Sequence, residues 1–439
     1  MTTLPTFVDD VTCLGCGCAC DDIRIGVRDG RIVGTGNACT LGVQWFGDGT
    51  VPTRSILDGN DAPLPIAIAT AASRLLEATR PLVYLAPGVS CETQRTGAAL
   101  ADLLCARLDS VTSATTSPLV LAAQERGFAS ATLGEVRNRA DLVVFWGVDV
   151  DRRYPRFTSR YAPGPVGTHV PAGRGGRHVI AVDVGAATTV EDADRRFAIA
   201  PANELSTLTA IAALVREPVR GTVELRPMSS PAWEHAHALA PLLIEARYVA
   251  VVYDGEPDDR DGRSPQRFDA LVRLSHALND RTRCAGIALR GGGNRSGADS
   301  VLAAHTGFPI AVDFARGFPQ YRPHDGCALA VLDDERVDVV CVIGDASLIP
   351  APVRDGLAAI RAIVIGPRAS TAPLGAAVVI DTGMAGIHSV GTAFRTDDVP
   401  LPLRAPVGGV RSAEAVVSEL AHAVASAHRN AGTEPAVAR

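Results

Sequence analysis

A chain of 439 residues, 47% of them hydrophobic, can bury a sizeable core and has the length of two or three packed units. Its 42 basic and 48 acidic residues leave a net charge of −6 with no basic block, which argues against a phosphate-backbone surface and against nucleic acid as a partner. Met1 to Asp10 carries two acidic residues and no apolar core, and no segment reaches the roughly 18 apolar residues of a membrane span, so a cytoplasmic protein with no membrane partner is expected.

The first 60 residues combine five of the ten cysteines with two short predicted strands, Asp22 to Val27 and Arg31 to Thr35, joined through Arg28-Asp29-Gly30. A small cysteine-rich cap over residues 1–60 is expected. From Leu82 onward, short apolar runs alternate with longer segments of helical period, the pattern of βαβ units around a mostly parallel sheet. The predicted strands are Leu82 to Ala86, Leu142 to Gly147, Val179 to Asp183, Val249 to Asp254, Cys284 to Leu289, Val339 to Gly344 and Ala362 to Gly366. The predicted helices are Thr93 to Leu108, Asn203 to Arg216, Gln266 to Leu278 and Ala413 to Ala427. Pro163 to Gly176 and Glu256 to Pro265 read as loops, and the tail after His428 as disordered. The expected fold is doubly wound α/β, with domains at 61–245 and 246–405 and a C-terminal helix and tail at 406–439.

Cys13, Cys16 and Cys20 are spaced C-x2-C-x3-C, and Cys39 follows 19 residues after Cys20. A tight loop can aim three thiolates at one [4Fe-4S] cubane while a fourth returns from a distant turn. Gly15 and Gly17 would let the loop fold back and turn amides toward the sulfurs. A zinc site on the same four thiolates, or cysteines without metal, are the alternatives; zinc favours paired C-x2-C knuckles, and the second knuckle is missing. Cys18 has the wrong spacing for a fourth ligand and is read as a neighbouring or spare thiol. Cys91 and Cys105, on one predicted helix, and Cys284 and Cys341, in apolar strands, read as small buried hydrophobes.

Ligands of open α/β sheets bind beyond the carboxyl ends of the strands. Two loops there draw notice. Arg290-Gly291-Gly292-Gly293-Asn294-Arg295-Ser296-Gly297 would allow close approach to an anion or be a plain loop. Arg152-Arg153-Tyr154-Pro155-Arg156, with Arg160, could hold a phosphate or carboxylate, or be spent on ion pairs. His388, His324 and Asp183 are individually uninformative, and no hydrolytic triad or His/His/carboxylate spacing stands out.

The run Cys13-Leu14-Gly15-Cys16-Gly17-Cys18-Ala19-Cys20-Asp21-Asp22-Ile23, then Asn37-Ala38-Cys39, resembles the N-terminus of the formylmethanofuran dehydrogenase B subunit, a molybdopterin-oxidoreductase relative. The resemblance continues through Cys91-Glu92-Thr93-Gln94-Arg95, Ala131 to Asp141, Phe145-Trp146-Gly147, Pro155-Arg156, Ser159-Arg160-Tyr161, Val312 to Pro319 and Gly391-Thr392-Ala393-Phe394-Arg395. It covers almost the whole chain and implies Rossmann-like domains of the molybdopterin-oxidoreductase type.

In dehydrogenase members a cysteine or selenocysteine binds tungsten or molybdenum within a segment resembling Ser-Val-Cys-His-Gly-Pro. Ser113-Ala114-Thr115-Thr116-Ser117-Pro118 corresponds, so Thr115 stands at the metal-binding position, and a hydroxyl is a hard, poor substitute for a thiolate there. Other expected pterin-loop residues are also replaced: Val184 follows Asp183 where a proline belongs, Gly147-Val148-Asp149-Val150 and Gly344-Asp345-Ala346-Ser347 depart from Gly-Ser-Asn-Pro-like and Gly-Ser-Asp-Pro-like turns, and His388 takes an acidic position.

The resemblance therefore implies a protein without tungsto- or molybdopterin, like the B component of the bacterial formyltransferase/hydrolase complex of methylotrophy. That complex moves a formyl group from tetrahydromethanopterin to a methanofuran-type carrier and releases formate, with its chemistry on an amidohydrolase-like A and a formyltransferase D subunit, alongside C. No catalytic or pterin-binding residue is expected in this chain, and its metal residues are Cys13, Cys16, Cys20 and Cys39. An active tungsten or molybdenum dehydrogenase and an electron-transfer module using only the iron–sulfur cluster are the competing expectations.

Overall fold

The computed structural model describes residues 4–186, 189–220, 230–257, 263–334, 336–372 and 374–430. The chain divides into two compact units, one made of residues 1–117 and 291–439 and the other an insertion, residues 118–290.

In the first unit β1 (Thr6–Val11), β2 (Ile23–Arg28) and β3 (Arg31–Gly36) form a small antiparallel sheet in that order. The turn between β2 and β3 places Asp29 at φ 51° and Gly30 at φ 73°, a left-handed pair that closes a tight hairpin. Next come β4 (Ser55–Leu57), β5 (Asn60–Asp61), β6 (Pro81–Leu85) and β7 (Arg107–Ser110). The inserted unit holds β8 (Leu142–Trp146), β9 (His178–Val184), β10 (Arg195–Ile199), β11 (Tyr248–Asp254) and β12 (Arg283–Leu289). The chain then returns through β13 (Val312–Asp313), β14 (Gln320–Tyr321), β15 (Val339–Ile343), β16 (Arg361–Gly366), β17 (Val378–Asp381) and the hairpin β18 (Gly391–Phe394) and β19 (Pro400–Leu403).

The architecture is mixed α/β. The first unit's main sheet runs β14-β13-β7-β6-β15-β16-β17-β4-β5, with β7, β6, β15, β16 and β17 parallel and the outer pairings antiparallel. Its parallel core strands are apolar because both faces are covered. Val83, Leu85, Cys341, Ile343, Ile363 and Ile365 pack on one face with helices 64–77, 91–103 and 413–430; Leu82, Tyr84, Val340, Val342 and Val364 pack on the other with helices 328–333 and 351–358. The inserted unit's sheet, β10-β9-β8-β11-β12, is wholly parallel. Leu142, Val144, Trp146, Val249, Val251 and Tyr253 meet helices 204–220, 231–245 and 264–279 on one face, and Phe145 meets Phe157 edge-on at 5.9 Å on the other.

Several expectations change here. The helix predicted from Thr93 to Leu108 spans Cys91–Leu103, because Cys105 turns left-handed at φ 50° and the chain re-extends into β7. Cys105 is therefore not on the helix of Cys91. A boundary between 245 and 246 would divide β8 from β11, which are hydrogen-bonded neighbours, so the division falls at 117/118 and 290/291 instead. Residues 1–60 belong with the first unit, and β4 joins its main sheet. Helix 413–430 runs past His428 to Asn430; the rest of the expected tail lies outside the described residues, as does part of the loop from Glu256 to Pro265. Among the described residues no helix is long and apolar enough to cross a membrane.

Candidate metal centre in the cysteine-rich loop

The loop between β1 and β2 closes on itself through the Cys13 amide, which donates to Cys20 O at 2.8 Å, and the Ala19 amide, which donates to Cys16 O at 3.2 Å. Ala19 is left-handed at φ 38°. Cys13, Cys18 and Cys20 are buried and Cys16 is half-buried. Cys39 arrives as the N-cap of a short helix, Thr40–Phe46, whose Gly42 lies against the site: a Cβ there would stand 3.3 Å from Cys13 Sγ and 4.0 Å from Cys39 Sγ. The Gly15 amide donates to Cys13 Sγ at 3.4 Å, as the glycine spacing anticipates. Burial, together with the nearby Cys16, Cys20 and Cys39 sulfurs, pushes the Cys13 thiol well above its ordinary value. Cys16, Cys20 and Cys39 thus lie near enough to Cys13 to act on its thiol.

The residues gathered here are soft sulfur donors, with an amide aimed at one of them and a glycine where a side chain would crowd two of them. Among the described residues no group of three or more His, Cys, Asp or Glu side chains is placed to hold a metal ion.

The glycine-rich loop after β12 is a docking seat for this loop rather than an anion cradle. Cys16 pairs as a β-bridge with Gly291, and the Gly293 amide donates to Leu14 O at 2.8 Å. A Cβ on Gly292 would overlap Leu14 O and stand 2.7 Å from Gly15 C and 2.8 Å from Cys16 N. On its far side Gly293 O accepts from the Gly88 amide at 2.8 Å. Asn294, left-handed at φ 63° and buried, then ties three segments together. Its amide donates to Val89 O at 3.0 Å, its Oδ1 accepts from the Phe394 amide at 2.8 Å, and its own carbonyl accepts from Gln94 Nε2 at 3.0 Å.

The β18–β19 hairpin completes the wall. The Thr396 amide donates to Gly17 O at 2.9 Å, the Thr12 hydroxyl to Pro402 O at 2.8 Å, and the Thr392 amide to Glu92 Oε2 at 2.9 Å. Arg395 makes a bidentate pair with Asp397 at 2.6 and 2.8 Å and brings its charge near Cys18. The Cys91, Gly291 and Gly391 segments, remote in sequence, therefore meet around one loop. The bracing role of Asn294 and the Arg395–Asp397 pair escape sequence reading; the glycine run after a strand end was the available signal, and it marked backbone approach.

Most of the other predicted positions are spent on the protein itself. Thr115 ends a short helix, Val111–Thr115, and its hydroxyl donates to Val111 O at 3.1 Å. Asp109 beneath it is buried and accepts from the Ser113 hydroxyl and from the Ala311 and Ala328 amides. Asp345 accepts from the Ser347 amide at 3.0 Å, and Asp149 caps helix 150–153 through the Arg152 amide at 3.2 Å. Asp183 binds the Thr189 amide at 2.8 Å and Arg196 at 2.6 Å. Arg152 and Arg153 pair with Asp149 and Asp254. Cys284 and Cys341 are buried in strands, and burial pushes each up to about 12, as inert core thiols. His324 is exposed.

His388 is buried, accepts from the Met384 amide at Nδ1 (3.1 Å) and donates from Nε2 to Gly49 O at 2.8 Å, which fixes the neutral Nε2–H tautomer. Burial depresses its pKa below 6.5 despite the Gly49 carbonyl. The unfolded chain therefore binds the His388 proton first as pH falls, so this contribution to stability is intact above about 6.5 and is lost on acidification below it. Urea unfolding between pH 7 and 5 should show that slope, and His388→Gln should flatten it; an unchanged slope would refute the assignment.

No family model matches the chain. Two curated relatives do: the B subunit of tungsten-containing formylmethanofuran dehydrogenase 2 from Methanocaldococcus jannaschii, 30% identical over 408 residues covering 90% of this chain and 93% of the relative, and its counterpart from Methanococcus maripaludis, 29% identical over 421 residues covering 92% and 96%. Among solved structures, a chain in the crystal structure of the formyltransferase/hydrolase complex (FhcABCD) from Methylorubrum extorquens with methylofuran superposes with a TM-score of 0.71 at 20% identity, over 85% of this chain and 99% of that one.

Proposed function

Since the chain belongs to the B-subunit family of formylmethanofuran dehydrogenase, we propose that it is the B component of a cytoplasmic formyltransferase/hydrolase-type complex in tetrahydromethanopterin-linked one-carbon metabolism, a structural partner to the A, C and D components. The carrying observation is Thr115: the metal-binding position holds a hydroxyl already engaged with Val111 O. The self-satisfied turns at Asp149, Asp183 and Asp345 support the same reading, because each spends the polar groups a pterin would need. Moving a formyl group and hydrolysing it transfers no electrons, so this chain would need neither tungsten nor a pterin.

The finer architecture belongs to this reading. Parallel strands covered by helices on both faces support doubly wound, Rossmann-like domains of the molybdopterin-oxidoreductase type, and the thiol loop supports an iron–sulfur cap. Cys13, Cys16, Cys20 and Cys39 would hold a [4Fe-4S] cluster, whose iron–thiolate bonds would cross-link the loop to the turn at Cys39. No disulfide links the ten cysteines.

Metal analysis with pterin extraction on the anaerobically purified complex tests the proposal. We expect no tungsten, molybdenum or pterin, with iron and acid-labile sulfide near one cluster per chain. Tungsten or molybdenum with a pterin would establish the competing reading, an active dehydrogenase, which the tungsten-containing relatives favour. Thr115→Cys should likewise give no formate-dependent dye reduction, because the surrounding loops are committed elsewhere; activity gained from that one change would overturn the reading.

A further inference from the structure

The inserted unit carries a pocket of about 610 Å³ at the amino end of its sheet, opposite the end where ligands of open α/β sheets are expected. We propose that this pocket binds a small zwitterion with an apolar side chain, an apolar α-amino acid, with Glu245 taking the ammonium and Arg195 and His178 the carboxylate.

Strand register brings the lining residues together. Leu142 begins β8 and pairs with His178, the first residue of β9; Ile180, two residues on, pairs with Arg195, which begins β10. Register partners in a parallel ladder, and residues two apart on one strand, share a face of the sheet. Leu142, His178, Ile180 and Arg195 therefore point to one side, where Leu142 and Ile180 belong to the same core as Leu239 and Leu243 of helix 231–245. The last turn of that helix, with Leu242 and Glu245, and Ala246 just beyond it form the facing wall. Leu142, Ile180, Leu242 and Ala246 thus make an apolar floor beneath a charged rim.

Three carboxylates stand at the rim, and two are already spent. Asp141 accepts from the Arg247 and Tyr248 amides at 3.1 and 2.8 Å and pairs with the Arg247 guanidinium at 3.1 Å. Asp194 accepts from the Val179 amide at 2.7 Å and pairs with Arg174 at 2.9 Å. Glu245 and Arg195 are exposed, and neither is engaged in a hydrogen bond or ion pair among the described residues.

Glu245 also stands where its helix favours it least. It is the last residue of helix 231–245, whose final turn holds no basic side chain, so its charge adds to the negative end of the helix dipole. A carboxylate beside helix-end carbonyls suits an ammonium, which brings three donors. On the neighbouring strands Arg195 offers a guanidinium fork and His178 a ring N–H to a carboxylate. With Asp141 and Asp194 compensated, one negative and one permanent positive charge are left over. A zwitterion matches both, whereas a simple anion would leave Glu245 opposed and a simple cation would leave Arg195 opposed. The floor then takes the apolar side chain.

Isothermal titration of the full-length chain with L-phenylalanine and with L-leucine tests the site. Saturable binding at one site per chain is expected. N-acetyl-L-phenylalanine, which lacks the ammonium, and L-phenylalaninamide, which lacks the carboxylate, should each bind at least about tenfold more weakly, the worth of one hydrogen-bonded charge. Glu245→Gln should weaken phenylalanine while sparing the acetylated compound, and Arg195→Gln should weaken phenylalanine while sparing the amide. Both side chains are exposed, so both variants should unfold at the native temperature. No saturable binding of either amino acid at millimolar concentrations overturns the proposal, as does binding to which both variants are indifferent. An acetylated compound that binds as tightly as phenylalanine shows a site for a carboxylate alone, and an amide that does so shows a site for an amine alone; either result overturns the zwitterion.

Discussion

Gly292→Ala should unfold the docking of the cysteine-rich loop and, on the proposed cluster, remove most of the iron from the purified chain. The added methyl meets Leu14 O, Gly15 C and Cys16 N, all of them backbone, so neither side can yield by a rotamer change. Overpacking of this kind commonly costs about 1–3 kcal/mol, and a clash against backbone belongs at or above the upper end. Gly34→Ala is the control, because a Cβ there meets nothing within 4 Å. Thermal unfolding of the first unit with iron counted per chain separates the two variants. If Gly292→Ala matched Gly34→Ala in both, the close approach of the two loops would not be what holds the thiols in place.

Arg267→Met should cost the inserted unit about 3–5 kcal/mol, the usual penalty for removing one partner of a buried ion pair. Arg267 and Glu204 are 9% and 10% exposed at their side chains and meet at 2.9 Å. The guanidinium also donates to Asp254 O at 3.3 Å and Trp146 O at 3.4 Å, covering the last carbonyls of β11 and β8. Glu204 accepts in addition from Trp146 Nε1 at 2.8 Å. Arg267 therefore fills the carboxyl-end position where an α/β sheet would receive a ligand. Adding Glu204→Gln should recover more than about 1 kcal/mol, because Gln still accepts from the indole and leaves no unpaired charge. Strict additivity in urea unfolding would show that the pair is not coupled.

Seven of the parallel strands were legible because a strand covered on both faces reads as an unbroken apolar run: Leu142 to Trp146 and Val339 to Ile343 need no context, whereas β10, largely exposed, gave no such run. Strand β7, Arg-Leu-Asp-Ser, offered one apolar residue in four and was absorbed into the preceding helical period. β1 was missed because its alternation is interrupted by Asp9 and Asp10. Helix 231–245 carries Pro241 inside it, which reads as a break. The cysteine-rich loop itself drew notice from the spacing of its cysteines, and its place ahead of β2 was legible. What holds them was not, because Asn294, Gly292 and Thr396 act through contacts 100 or more residues away, where residue type carries little of the signal. Domain limits failed for a related reason: an insertion leaves no composition shift at its borders, and only strand pairing reveals that the chain has left one sheet and come back.

That return path has a consequence for synthesis. The loop bearing Cys13 to Cys20 leaves the ribosome first, while its seats at Gly291–Gly293 and Thr396 are made hundreds of residues later. By then the inserted unit, contiguous from 118 to 290, has every strand of its own sheet, whereas β6 still awaits β15. The nascent thiols therefore spend nearly the whole of translation without the walls that bury them, and any iron delivered to them durably must come after the last third of the chain has been made.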